Sequence, residues 1–267
     1  MKYQLIHPVN SQYSATQQIL TNRGIPLAEI PHYLNTTDAD INTPKALGLD
    51  LLKQAAAELI DAINNNKNAV VIVDADCDGY TSSAILINYL HDFFPTWVET
   101  HLSWIMHNGK QHGLQDCINQ ILQKDISLVI LPDAGTNDVD ECQQLDNHNI
   151  SVIILDHHDK EKDNPWAIII NNQIGNYPNK FLSGAGVTWQ FCRYIDELLQ
   201  SNKANAYRDL VALGNLADMM SLTALETKHL IRTGFDNIRN PFITYLVEKN
   251  SYSLKDKRRR VLSCSFC

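Results

Sequence analysis

The chain has no uninterrupted apolar run approaching the ~18 residues that a membrane-spanning helix requires. Its opening, MKYQLIHPVN, carries one lysine with no apolar stretch behind it. Neither a membrane span nor a secretory leader is expected. An excess of positive charge is also missing: 22 Lys and Arg stand against 30 Asp and Glu, for a net charge of -8. That excludes a globally basic protein that coats nucleic acid, because phosphate neutralisation by Lys and Arg dominates such binding. An enzyme with a local basic groove stays open, since acids that hold cations lower the count. The six cysteines are scattered as Cys77, Cys117, Cys142, Cys192, Cys264 and Cys267, without a disulfide framework, so reduced thiols in the cytoplasm are expected. Cys264 and Cys267 have CxxC spacing, but no second pair completes a zinc site, and a disordered tail is the plainer reading. Internal repeats and low-complexity tracts are absent.

What is present suits an enzyme. Hydrophobic residues make up 44% of 267, enough to bury the core of one large domain or two small ones. The lead-in over 1–45 reads as helical: SATQQILTNRGI has apolar positions at helical spacing and Arg23-Gly24 as a stop. Residues 46–65 form an amphipathic helix that ends in an asparagine run. Strands and helices then alternate. AVVIVD (69–74), WVETHLSW, ISLVILPD (126–133), ISVIILDHH (150–158) and WAIIINN (166–172) read as strands, and TSSAILINYLHDFF (81–94), LQDCINQILQK (114–124) and VDECQQLDNHN as helices. Continuous β-branched runs indicate strands buried on both faces. The expected fold is α/β: a parallel five-stranded sheet flanked by helices, with a helical N-terminal lead-in and a helical C-terminal part after residue 183. The catalytic domain is expected to span 46–240, with 241–267 a connecting helix or tail.

Ligands of open α/β sheets bind at the carboxyl ends of the strands. Here the first strand runs into Asp74-Ala75-Asp76-Cys77-Asp78-Gly79, the third into Asp133-Ala134-Gly135 and the fourth into Asp156-His157-His158. Asp218 lies in the apolar stretch LGNLADMMSL. Singly, each acid can be a helix cap or a turn residue. Together they repel one another in a site of lowered dielectric, and cations relieve that simply. Carboxylates mixed with imidazole are what a two-metal site for phosphate esters needs. Gly79 is expected to let the chain turn sharply. Thr81, Ser82 and Ser83, opening the next helix, either hold a phosphate or merely cap the helix.

These segments resemble the DHH phosphoesterase superfamily, and RecJ-type exonucleases in particular. VIVDADCDGYTSS is similar to the first motif, LPDAGTND to the second, LDHH to the third and LGNLADMMSL to the fourth. ILTNRGI, HYLN, TDADINTP, HNGKQHGLQ and SGAGVTWQF are similar to RecJ flanks, and the likeness covers roughly 15–240. The resemblance implies Asp76, Asp78, Asp133, His157 and Asp218 as metal ligands, Asp133 bridging. Asp74 becomes a further catalytic acid. Asp156 and His158 orient the ligands or touch the scissile phosphate. Thr81, Ser82, His112, Ser183 and Gly184 are expected to face substrate. Two divalent ions are implied, manganese ahead of magnesium. The expected substrate is single-stranded DNA or a short oligonucleotide.

The chain departs from the RecJ pattern in lacking an arginine before His112, and no second, DHH-associated domain or OB-fold is expected. Such a catalytic core is either a natural minimal form, a truncated one, or one whose missing substrate-binding surface a protein partner supplies. The competing readings are a DHH phosphohydrolase of short oligonucleotides, cyclic dinucleotides or pyrophosphate, and a non-catalytic scaffold. The retained carboxylates argue against the scaffold.

Overall fold

A computed structural model describes residues 9–107 and 112–249. The lead-in holds α1 (Ala15–Asn22), whose Ser14 and Gln17 form a capping box, and α2 (Ile30–Leu34). After α3 (Leu49–Asn64) come β1 (Ala69–Val73), α4 (Cys77–Phe93), α5 (Pro95–His101), β2 (Leu102–Met106), α6 (Ile118–Leu122), β3 (Leu128–Pro132), α7 (Val139–Asp146), β4 (Ser151–Asp156) and β5 (Ile168–Asn171). The chain then becomes helical, through α8 (Gly184–Leu199), α9 (Arg208–Ala217), α10 (Leu225–Asp236) and α11 (Pro241–Lys249). The terminal Cys264-Cys267 pair lies outside the described residues. Among those described, Cys77, Cys117, Cys142 and Cys192 are free thiols. No helix of the described residues is long and apolar enough to cross a membrane.

All five strands are parallel, in the order β2-β1-β3-β4-β5. Alternate side chains enter two different cores. Val71, Val73, Ile130, Ile153 and Leu155 pack with α3, α4 and α8, whereas Val70, Ile72, Val129, Leu131 and Ile154 pack with α6 and α7. Burial on both faces is why β1 and β3 read as unbroken apolar runs, and each such side chain contributes roughly 1.5–3 kcal/mol of transfer free energy. The order reverses beside β1: the chain leaves it for β2 on one side and returns to β3 on the other. The crevice at such a switch point, outside the carboxyl ends of the strands, is where open α/β sheets bind ligands.

Three of the differences from the sequence reading bear on packing or on the site. The first half of WVETHLSW is α5, because Pro95 starts a helix at its first turn and Trp97 and Val98 bury into the core from that helix. Only Ile118–Leu122 of the segment read as a helix over 114–124 forms an α-helix. Most consequential, α4 begins at Cys77, four residues ahead of the reading, with Asp76 as its N-cap.

Candidate metal centre

The early start of α4 decides what its acids do. Asp76 Oδ1 accepts the Gly79 amide at 2.8 Å, so this acid does cap a helix, as its single-residue reading allowed. Asp78 falls in the first turn, where the helix dipole favours an anion. It is 2% exposed, and the Gly184 and Ala185 amides at the start of α8 donate to it at 2.7 and 3.1 Å. Gly79 lies within the helix rather than in a sharp turn. A Cβ there would sit 2.6 Å from Asp74 Cβ, so glycine is needed for close approach.

Asp133 ends β3 with φ at +70°, a left-handed conformation that costs on the order of 1 kcal/mol outside glycine. Its amide donates to Leu155 O at 2.8 Å, which fixes the residue at the switch point. The side chain is 1% exposed, and Oδ1 makes no hydrogen bond although His157 Nε2 lies 3.2 Å away. The same His157 nitrogen is 3.6 Å from Asp218 Oδ2 and 3.8 Å from Asp78 Oδ2. Asp218 is the residue that ends α9 rather than one inside it, and it stays about one-third exposed.

Asp156 is held differently. Thr136 donates to it from Oγ1 at 2.6 Å and from its amide at 3.1 Å, the His157 amide adds a bond of 2.7 Å, and His158 Nδ1 lies 2.7 Å away. Although burial opposes ionisation, the His158 bond and the Thr136 hydroxyl keep this carboxyl well below the usual carboxylate range. In return the Asp156 bond pushes His158 up to about 9. His112 Nδ1 lies 2.9 Å from Asp74 Oδ2, and that bond raises the histidine above its ordinary value. The rings of His112 and His157 lie 4.8 and 4.5 Å from the His158 ring.

Among the described residues, three groups of side chains could hold a metal ion: Asp133, His157 and His158; Asp78, His157 and Asp218; and Asp74, Asp76 and Asp133. Asp133 and His157 each belong to two of them. The donor set suits hard or borderline divalent cations. Burial pushes the carboxyls of Asp78 and Asp133 up, with neighbouring carboxylates adding to the effect at Asp133. Asp74 Oδ1 and Asp133 Oδ1 are buried without a hydrogen bond, as cation ligands would be before a cation arrives.

Three residues expected to face substrate, Thr81, Ser82 and Gly184, are occupied otherwise. Thr81 Oγ1 and Ser82 Oγ are buried and donate to Cys77 and Asp78 carbonyls, because α4 is already in its second turn there. The Gly184 amide is spent on Asp78, and a Cβ on Gly184 would lie 2.3 Å from Asp133 Oδ1. Ser183 is fully buried and its amide donates to Asn215 Oδ1, but its hydroxyl has no hydrogen-bond partner among the described residues. His112 does border the acids. The sequence reading overlooked Thr136, which holds Asp156, and Asp138, whose Oδ2 accepts the Leu114 amide at 2.8 Å and so fixes the segment carrying His112. Both lie in LPDAGTND, and the signal was their position one turn beyond Asp133.

Residues 68–215, more than half of the chain, match the model of the DHH family, N-terminal domain. The chain belongs to the DHH family. This DHH chain is 36% identical over 257 residues to the putative SPbeta prophage-derived single-strand DNA-specific exonuclease YorK of Bacillus subtilis, covering 96% of the chain and 43% of YorK. It is 28% identical over 233 residues to the single-stranded-DNA-specific exonuclease RecJ of Bacillus subtilis, covering 83% of the chain and 28% of RecJ. The DHH chain thus spans less than half the length of these curated relatives. Among solved structures it resembles exonuclease RecJ bound to manganese, with a TM-score of 0.68 and 25% identity over 79% of this chain and 54% of that one. RecJ of Thermus thermophilus in complex with Mn2+ shares the fold at a TM-score of 0.70 and 22% identity, over 93% of this chain and 37% of that one.

Proposed function

We propose that this DHH chain is the catalytic core of a metal-dependent exonuclease that hydrolyses single-stranded DNA to nucleotides. One observation carries the reading: Asp133 and His157 are shared between overlapping acid and imidazole triads at the switch point of the sheet. A shared pair is what two closely spaced divalent ions require of a protein. The similarity to YorK and RecJ supports DNA as the substrate.

Asp76, Asp78, Asp133, His157 and Asp218 would hold the cations, manganese ahead of magnesium, with Asp74 and His158 beside them. Bound there, such ions supply positive charge to a phosphate undergoing in-line displacement and lower the pKa of a water. The chain's own groups do the rest. Asp156 holds His158 through Nδ1, which leaves the other ring nitrogen for a cation or a phosphate oxygen. Asp74 orients His112, the second imidazole on this edge. Gly184 and Ala185 lock Asp78 before substrate arrives.

The test is Mn2+-dependent cleavage of end-labelled single-stranded DNA, run beside a dinucleotide and pyrophosphate, with Asp133→Ala as control. Stepwise loss of nucleotides from the long strand, abolished by the substitution, supports the proposal. Cleavage of the short substrates alone replaces it with the small-molecule reading. Metal binding without any cleavage refutes an autonomous core and points to a partner that supplies more of the substrate surface.

A further inference from the structure

A cavity of about 470 Å³ opens between α4, α9 and the start of α11. Asp76 lines it, and Asp76 is also a member of the triad with Asp74 and Asp133, so the cavity shares a wall with the metal centre. The remaining lining is largely apolar, with Ala84 from α4 and Leu210 and Leu213 from α9. Two aromatic residues complete it from opposite elements, Tyr80 and Phe242, and they remain 44% and 60% exposed.

The wall that carries Phe242 is anchored. Asp209, 2% exposed, accepts the Arg239 and Asn240 amides on Oδ2 at 2.7 and 2.6 Å. Asn240 Oδ1 then accepts the amides of Phe242 and Ile243, and Ile243 is 2% exposed in the core. The backbone beneath Phe242 is therefore fixed while its ring stays open to solvent.

The chemistry of this cavity matches one half of a nucleotide. A flat apolar base stacks on aromatic side chains, and every base offers a π-face for that contact. The volume falls within the roughly 300–1,000 Å³ typical of small-ligand sites. An apolar hollow by itself would admit many groups, but the shared Asp76 wall narrows the choice. A ligand that fills the hollow and also presents a phosphate to the metal centre must join an apolar ring to a phosphoester over a short distance. We propose that the cavity holds the nucleobase of the nucleotide whose phosphate lies at the metal centre, by stacking rather than by base-specific hydrogen bonding. The proposal rests on the phosphodiesterase reading and assigns that reaction its base-binding subsite.

Phe242→Trp places a reporter on the rim, read as the emission difference from the parent chain. Thymidine 5′-monophosphate should quench that emission and deoxyribose 5-phosphate should not. Adding Ala84→Phe, which fills the hollow, should abolish the quenching while circular dichroism confirms the fold. In the nuclease assay, Tyr80→Ala should raise KM by about fivefold or more for a strand ending in a base, as expected for one lost stacking contact. The same substitution should shrink the preference for that strand over one with an abasic terminal residue.

Equal quenching by the sugar phosphate overturns the proposal, as does quenching that survives Ala84→Phe. A reporter shielded from iodide before any ligand is added also overturns it, and would give the cavity to residues of this chain beyond Lys249. If nucleotide quenches but no strand is ever cleaved, the nuclease reading fails and the base site stands. If strands are cleaved with no regard to the terminal base, the nuclease reading stands and the base site fails.

Discussion

Glu226 and Asp133 are buried to nearly the same depth, 2% and 1% exposed, yet their surroundings are opposite. Glu226 accepts from the Asn42 amide and side chain at 3.0 and 2.8 Å, from Tyr177 at 2.8 Å, and from Asn179 and Gln190 at 2.9 Å each. These neutral donors come from the lead-in, the loop after β5 and α8, so one carboxylate ties α10 to three other parts of the chain. Asp133 faces Asp78, Asp156 and Asp76, and one of its oxygens has no hydrogen bond at all. The difference separates two uses of a buried acid. Where the chain supplies the donors, the acid serves the fold; where it supplies more acids, the arrangement suits a cation.

The comparison can be broken most severely at Asp133. Asp133→Ala should reduce Mn2+-dependent hydrolysis well beyond the ~10–100-fold that loss of a supporting group costs. It should also remove the rise in melting temperature that added Mn2+ produces, a rise that Glu226→Gln should retain. Equal metal-induced stabilisation in parent and Asp133→Ala would mean that the cation binds elsewhere.

Next in size is Glu226→Ala. It leaves several buried donors unmet and should lower stability by about 3 kcal/mol or more, read from urea denaturation. A loss below about 1 kcal/mol would show that water replaces the carboxylate and that the contrast with Asp133 is weaker than the contacts indicate.

The sign should reverse at the metal centre. In EDTA, Asp133→Asn removes a carboxyl that repels its neighbours and should stabilise the fold by about 1 kcal/mol. A drop in the urea midpoint would place Asp133 with Glu226, as an acid the protein already satisfies.

The smallest effect is expected at Asp38, whose side chain is 68% exposed and which bonds Arg208 at 2.9 Å and His229 at 2.8 Å. The Arg208 bond, followed by that of His229, holds its carboxyl below the ordinary range. A lowered folded value means the contribution is complete above the unfolded carboxylate value, near pH 4, and fades as pH falls through the folded value. Solvent screening keeps it well under about 1 kcal/mol. The urea midpoints of parent and Asp38→Asn should differ slightly at pH 6 and draw together as the pH falls below 4.

The sequence revealed the two uses unequally. The sheet was legible because burial on both faces writes each strand as an apolar run, and the acids stood out because they follow those runs directly. Asp133 drew attention for this reason. Glu226 did not, since its donors at 42, 177, 179 and 190 are dispersed and each is an ordinary polar residue alone. Trp97 and Val98 were misread because aromatic and β-branched residues favour strands, whereas Pro95 committed the segment to a helix. Thr81 and Ser82 were assigned to substrate because the start of α4 was placed too late; a shift of one turn changes open hydroxyls into buried ones.

The acids that meet at the switch point span the chain from Asp74 to Asp218, and they arrive at the ends of β1, β3 and β4, at the start of α4 and at the end of α9. No hairpin or local fragment contains a complete set, so a cation held there could not template an early step of folding. The chain must bring its like charges together before any ion can reward it, late in a search already slowed by non-local parallel pairing. Metal affinity at this site would consequently read out how the ends of β1, β3 and β4 and the helices α4 and α9 are set against one another.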